Sequence, residues 1–312
     1  MTKSRLILFI IAVVIIAITA LSFASLKIAQ KKPVSSIRVN KVKLIYTRAG
    51  ELLEKGDTDK AIGAYVVVAT QYPSSKYAEK SFQQLAFIYS SKGDDEKAKY
   101  YYQRLLKEFP ESSEAKTVQT KVGDINVKTM QSSARTEDSI EYTVQAGDSL
   151  YAIARKFKTT IELIKKMNGL KGDMIRVGQK LKINVAEFSI LVDKKNNILI
   201  LKKDGELFKT YPVATGRENS TPVGKFTIVD RMIQPPWTKP GVGIIMPDSP
   251  DYELGARWMP ISVPGYGIHG TNDDSSIGKQ STSGCVRMHD EEVIELYNMV
   301  PKGTEVEIID GK

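Results

Sequence analysis

The residues that interrupt regular structure are not spread evenly along this chain. Residues 187–309 hold ten of its thirteen prolines and twelve of its twenty-two glycines. Turns that frequent leave room for short strands and exclude long helices over most of that stretch. Period-two alternation predicts strands at Phe188–Val192, Ile198–Leu201, Leu207–Val213, Gly224–Asp230 and Val306–Ile309. One helix is expected over Asp290–Met299, with Asp290 as its N-cap and Pro301 stopping it. The C-terminal part is therefore expected to be a mainly β domain, and the rest of the chain must be read separately.

Charge divides at the same place. Residues 1–186 sum to +13 and residues 187–312 to −4, within an overall +9. The basic surplus suits an anionic surface or an acidic polymer, and no motif supports a nucleic-acid partner. A length of 312 residues predicts two or three domains. With 42% apolar and 26% charged residues, a wholly disordered chain and a multi-spanning membrane protein are both excluded.

Leu6 to Leu26 form 21 consecutive residues without a charge. As a helix they span ~30 Å, about one hydrocarbon core. Lys3 and Arg5 precede them, and Lys27, Lys31 and Lys32 follow, so charge does not fix an orientation. The run 6–26 is expected to be a transmembrane anchor. The alternative is a cleaved signal segment ending near Ser22-Phe23-Ala24. Either reading places the remainder outside the cytoplasm, in the cell envelope.

Between about 42 and 122 the chain repeats itself. Gly56-Asp57 recurs as Gly93-Asp94, Ala61 as Ala98, Tyr65 as Tyr102, Tyr72-Pro73 as Phe109-Pro110 and Ala78 as Ala115, each at an offset of 37 residues. The pattern is helix, Gly-Asp turn, helix, Pro break. It resembles tetratricopeptide repeats, which implies α-helical pairs acting either as a spacer or as a surface for a protein partner. Residues 124–140 are polar and without clear period, and read as a linker.

Residues 141–183 read strand, helix, helix, strand. Tyr142-Thr143-Val144 opens the segment, Ser149 caps a helix carrying Leu150, Ile153, Ala154 and Phe157, and Leu181-Lys182-Ile183 closes it. Thr159 and Glu162 have capping-box spacing before Leu163, Ile164 and Met167. This βααβ segment resembles a LysM domain. The resemblance implies binding to the N-acetylglucosamine-containing glycan of peptidoglycan. The groove would lie between the loop after the first strand and the loop after the second helix.

Chemistry concentrates near the C-terminus. The single cysteine, Cys285, excludes an intramolecular disulfide, and the two histidines, His269 and His289, both lie within 16 residues of it. A cysteine nucleophile needs a base within hydrogen-bond reach, and His269 is the candidate. Gly284 lets backbone approach a substrate, and N–H groups near Cys285 are candidates for an oxyanion site. Arg287 stands where it lowers a thiol pKa or receives a carboxylate. His269, Cys285, His289 and Asp290 match metal ligands by type, but a metal-bound thiolate would first have to be displaced; no metal and no cofactor are expected. Arg257 and Trp258 read as structural.

The segments Ile268-His269-Gly270-Thr271 and Ser281-Thr282-Ser283-Gly284-Cys285-Val286-Arg287 resemble the catalytic domain of YkuD-type L,D-transpeptidases. So do Thr215-Gly216, Thr221-Pro222-Val223-Gly224-Lys225-Phe226 and Leu254-Gly255-Ala256-Arg257-Trp258, over nearly all of 187–309. The resemblance implies a cysteine acyl-enzyme. Cys285 attacks the third residue of a peptidoglycan stem tetrapeptide, D-alanine leaves, and an amine accepts the acyl group, forming 3-3 cross-links or attaching another acceptor. It implies His269 as proton donor and acceptor, oriented by a backbone carbonyl such as that of Gly270, and susceptibility to carbapenems. One departure is Ser283, where the family commonly has His. A sortase-like or other cysteine acyltransferase of the wall is the competing class, though sortases place His much further upstream of Cys. A non-catalytic wall-binding scaffold is another. Since every nucleophile and base candidate lies beyond residue 186, a fragment 187–312 is expected to suffice for chemistry.

Overall fold

The computed structural model describes residues 36–239 and 241–311. The run 6–26, expected to be an anchor, lies outside them. Among the described residues no helix is long and apolar enough to cross a membrane. The chain divides between Pro110 and Glu111 into two compact units.

The first unit is a helical array: α1 (Ser36–Glu54), α2 (Thr58–Gln71), α3 (Lys76–Ser91) and α4 (Asp95–Glu108), each packing on the next. Gly56 and Gly93, at φ 82° and 74°, close the two Gly-Asp turns in a conformation that costs other residues strain. Ser75 accepts from Tyr77 N–H and Asp94 from Lys97 N–H, capping α3 and α4. Ala61, Ala78 and Ala98 are fully buried where helices approach closely, and Tyr65, Phe82, Leu85, Tyr102 and Leu105 fill the space between them.

The second unit opens with α5 (Ala115–Gln131). The segment 124–140 is therefore not a linker throughout: it is helical to Gln131 and in a strand from Ser139. Ile125, Asn126, Val127 and Met130 are buried. The stripe that reveals the helix begins at Val118 and Val122, so a reading that starts at Asp124 loses its first turns. Then come β1 (Ser139–Thr143), α6 (Leu150–Lys156), α7 (Ile161–Met167) and β2 (Lys180–Asn184), with β1 and β2 antiparallel around a core of Val144, Leu150, Ile153, Ile164, Leu181 and Ile183. Ser149 caps α6 as expected. The cap of α7 is Thr160, not Thr159: its hydroxyl accepts from Leu163 N–H at 2.9 Å, while Glu162 turns away to pair with Arg231 at 3.0 Å.

The C-terminal domain is built on a five-stranded sheet of β3 (Phe188–Asp193), β4 (Ile198–Lys203), β5 (Glu206–Pro212), β7 (Gly224–Thr227) and β15 (Glu305–Ile309). Its order is β5-β4-β3-β15-β7, with only β3 and β15 parallel. β6 (Thr215–Gly216) pairs with β13 (Gln280–Thr282), and β9 (Trp237–Lys239) with β10 (Gly243–Ile245). A second sheet, β14-β12-β11-β8, joins β8 (Met232–Ile233), β11 (Arg257–Pro260), β12 (Gly267–His269) and β14 (Val286–Arg287). Helix α8 (Asp290–Met299) packs on β11 and β12.

One apolar core runs through this unit. Val127 and Met130 of α5 and Leu163 and Met167 of α7 belong to the same buried cluster as Ile190, Val192, Leu199, Leu201, Val293 and Leu296. The expectation that 187–312 is self-sufficient meets a physical objection here, because part of its core is supplied by residues before 187.

Candidate active site

The site is assembled by the ladder between β12 and β14. These strands are parallel, with Ile268 opposite Val286 and His269 opposite Arg287. Paired residues share a face and alternate along each strand. Ile268 and Val286 point into the core, at 1% and 2% exposure. His269 and Arg287 therefore occupy the other face; Gly267 is two residues back on β12, and Cys285 lies immediately before β14, with the Gly267 N–H turned to its sulfur.

His269 is buried, and its Nδ1 lies 2.7 Å from Gly270 O. A carbonyl only accepts, so Nδ1 carries the proton and Nε2 presents a lone pair. Burial, aided by the Arg287 charge, lowers the imidazole pKa to about 4, against the carbonyls of Gly270 and Glu253. Burial also raises the Cys285 thiol pKa, opposed by the Gly267 N–H and by Arg287. Thiol and imidazole are thus both neutral at rest. Cys285 Sγ lies 3.7 Å from Gly265 O, to which the thiol donates.

Arg287 is buried, donating to Ser276 Oγ and to Glu253 Oε2, both at 3.2 Å. Its charge is held in place by those two acceptors. Gly284, at φ 123°, allows the nucleophile turn: a Cβ there would stand 2.5 Å from Tyr266 Cε1. Its N–H donates to Thr282 Oγ1 at 3.1 Å, and Thr282 in turn donates to Cys285 O at 2.7 Å. Ser283 is exposed.

Asp290 does not cap α8, as its sequence position suggested, but is the first residue of the helix, with His289 in the cap position. Its Oδ1 accepts from Ala256 N–H at 2.9 Å and Thr271 N–H at 3.0 Å. Gly255 and Gly270 must be glycine to admit it: a Cβ on either would lie 2.1 Å or 1.9 Å from that oxygen. Asp290 thus holds the loop that follows His269. Trp258 sits opposite His269 in the β11–β12 ladder, with ring centroids 5.8 Å apart, and a Cβ on Gly267 would touch its Cη2 at 2.7 Å. It is a wall of the site as well as a packing residue. Arg257, by contrast, donates to Ala256 O and lies over the Tyr297 ring. His289 pairs with Asp274 at 2.6 Å. Sequence reasoning gave Asp290 a helix cap and Trp258 a structural role and missed their contacts around His269; for Trp258 the Leu254–Trp258 segment was the available signal.

A sequence model of the L,D-transpeptidase catalytic domain matches residues 187–308, a LysM model matches 142–184, and a tetratricopeptide-repeat model matches 46–75 and 80–112. The YkuD protein of Bacillus licheniformis is 38% identical over 175 residues, which cover 54% of this chain and 97% of that one. The YkuD protein of Bacillus subtilis is 34% identical over 176 residues, covering 54% and 98%. Among solved structures, the Enterococcus faecium L,D-transpeptidase catalytic domain acylated by ertapenem aligns at 26% identity and a TM-score of 0.33, over 39% of this chain and 97% of that one. An L,D-transpeptidase from Mycobacterium smegmatis aligns at 20% identity and a TM-score of 0.33, over 43% and 64%. The chain belongs to the YkuD-type L,D-transpeptidase family, and it carries a LysM domain and tetratricopeptide repeats ahead of the transferase domain.

Proposed function

We propose that this protein is a peptidoglycan L,D-transpeptidase in which Cys285 is the nucleophile and His269 the proton carrier. The observation that supports the assignment is the Gly270 O contact that fixes the His269 tautomer, on the same strand whose Gly267 N–H is turned to the Cys285 sulfur. Cys285 Sγ attacks the carbonyl of the third stem residue while its proton passes to Nε2. The Gly284 N–H is already engaged by Thr282, so the oxyanion contact falls to the Cys285 N–H. Collapse breaks the peptide bond, the D-alanine amine takes the proton from His269, and a thioester remains. An acceptor amine then attacks the thioester, gives its proton to His269, and restores the thiol. Arg287 stabilises negative charge on sulfur in each step.

The LysM domain supports peptidoglycan as binding partner as well as substrate. The helical repeats offer a surface for a protein partner. The uncharged run 6–26 and the wall substrate support an extracytoplasmic location, with that run as the membrane anchor. The test is acylation by a carbapenem, whose strained β-lactam carbonyl opens on the thiol without a leaving group. Intact mass rises by one drug equivalent in the parent protein and is unchanged in Cys285→Ala. His269→Ala acylates ~10²–10⁴-fold more slowly. An adduct that persists in Cys285→Ala places the nucleophile elsewhere and overturns the assignment.

A further inference from the structure

We propose that α5, the LysM domain and the transferase domain are one cooperative body, so that a glycan strand held by LysM stabilises the Cys285–His269 site and fixes its orientation to that strand. The second half rests on the reading of LysM as the glycan-binding element. Domains in one chain ordinarily move against each other unless their interface is large and apolar. Here the interface is the core itself.

Helix α5 falls between the family matches, which end at 112 and resume at 142. It is nonetheless built into the transferase domain. Asn126 is buried and donates to Phe208 O at 2.7 Å. Lys209 reaches from β5 to Asp124 on α5 and to Glu295 on α8, both at 2.7 Å. Gly123 permits this approach: a Cβ there would lie 2.7 Å from Lys209 Cγ and 3.2 Å from its Cα. On its other side α5 meets LysM, where Lys166 donates to Gln131 at 3.2 Å and Lys182 to Ser132 O at 3.0 Å.

LysM in turn grips α8. Leu163 and Met167 enter the shared core, and Thr160 Oγ1 donates to Asn298 O. Arg231 donates to Glu162 at 3.0 Å and to Tyr297 O at 2.6 Å, with its guanidinium 4.0 Å from the Tyr297 ring centre. The other end of α8 is Asp290, which holds the loop after His269. One rigid helix therefore joins the LysM seam to the active-site loop.

Hydrogen exchange on the full chain tests this. An N-acetylglucosamine oligosaccharide at ten times its Kd slows every amide that exchanges only through unfolding of the body by ~11-fold. Protection in α5, in Leu199–Leu201 and in Val293–Leu296 equal to that in LysM is expected; protection confined to 139–184 overturns the proposal. Absence of any saccharide binding refutes the glycan reading and with it glycan stabilisation, while the cooperative body is read without ligand. In Leu163→Ala, exchange in β4 and α8 accelerates by the same factor as in LysM, at least about thirty-fold. If that variant does not fold, Thr160→Ala gives the same comparison at ~5-fold. Acceleration restricted to LysM in either variant overturns the cooperative body.

Discussion

Burial acts on Cys285 and His269 in opposite directions, pushing the thiol pKa up and the imidazole pKa down to about 4. Neither group is charged at neutral pH, so proton transfer must accompany attack. Two outcomes follow. The ultraviolet thiolate band is absent at neutral pH and appears only on the alkaline side of the ordinary cysteine range. The acid limb of carbapenem acylation falls near pH 4, where His269 protonates, rather than near the usual histidine value of 6.5. An acid limb between 6 and 7 would mean that the imidazole is solvated, contrary to its burial. Trp258 covers this imidazole, so Trp258→Ala admits water and moves the acid limb upward toward 6.5, whereas Trp258→Phe moves it less. Ser283 is exposed and outside the proton path, so Ser283→His changes only the rate of adduct formation. At this scale the sequence pointed to Cys285 and His269 because their residue types are scarce, and the Gly270 carbonyl expected from the family resemblance does lie on the imidazole. It gave Asp290 a helix cap and Trp258 a structural role, and not their contacts around His269, which join positions far apart in the chain.

Helix α8 concentrates the unusual electrostatics of the transferase domain. Glu295 accepts from Tyr211 OH at 2.8 Å and pairs with Lys209, whereas Glu292 has a buried Oε2 without a hydrogen-bond partner among the described residues. Burial raises the Glu292 pKa from the usual 4.5 to about 7. Its folded-state pKa thus lies above the unfolded one. The penalty of ionising it in the fold is absent below about pH 4.5, grows as pH rises, and is complete above about pH 7. Glu292→Gln removes the charge and keeps the shape, so it should raise stability at pH 8 by about 1–2 kcal/mol after allowance for solvent screening, and change little at pH 4.5. Thermal unfolding at the two pH values reads this; an equal effect at both would exclude ionisation as the cause. Long elements such as the strand at 188 and the helix at 290 were legible from their period. The two- to four-residue strands β8 to β14 were not, because a period needs more residues than they contain. They are placed by pairing with distant partners, and they carry the active site.

At the scale of the whole chain, the division between Pro110 and Glu111 and the continuity of the core after it lead to opposite expectations for two truncations. Removing 1–110 takes away a unit with its own core, so 111–312 should acylate with a carbapenem within about twofold of the full chain. Removing 1–186 is different in kind. It strips Val127, Met130, Leu163 and Met167 from the cluster that contains Ile190, Val192, Leu199 and Leu201. Each such side chain contributes about 1.5–3 kcal/mol when fully buried. Four of them amount to roughly 6–12 kcal/mol, an upper range because unfolded chains already bury some surface. A domain of this size has about 5–15 kcal/mol in total. The loss is comparable with the whole stability, before counting Thr160 on Asn298 O or Asn126 on Phe208 O. Every group proposed for the chemistry lies within 187–312, yet that fragment should show no cooperative unfolding transition and no stoichiometric adduct, while 111–312 shows both. Calorimetry and intact-mass measurement on the two fragments decide it: a 187–312 fragment that melts cooperatively and acylates would mean that α5 and LysM only cover the transferase core and do not complete it.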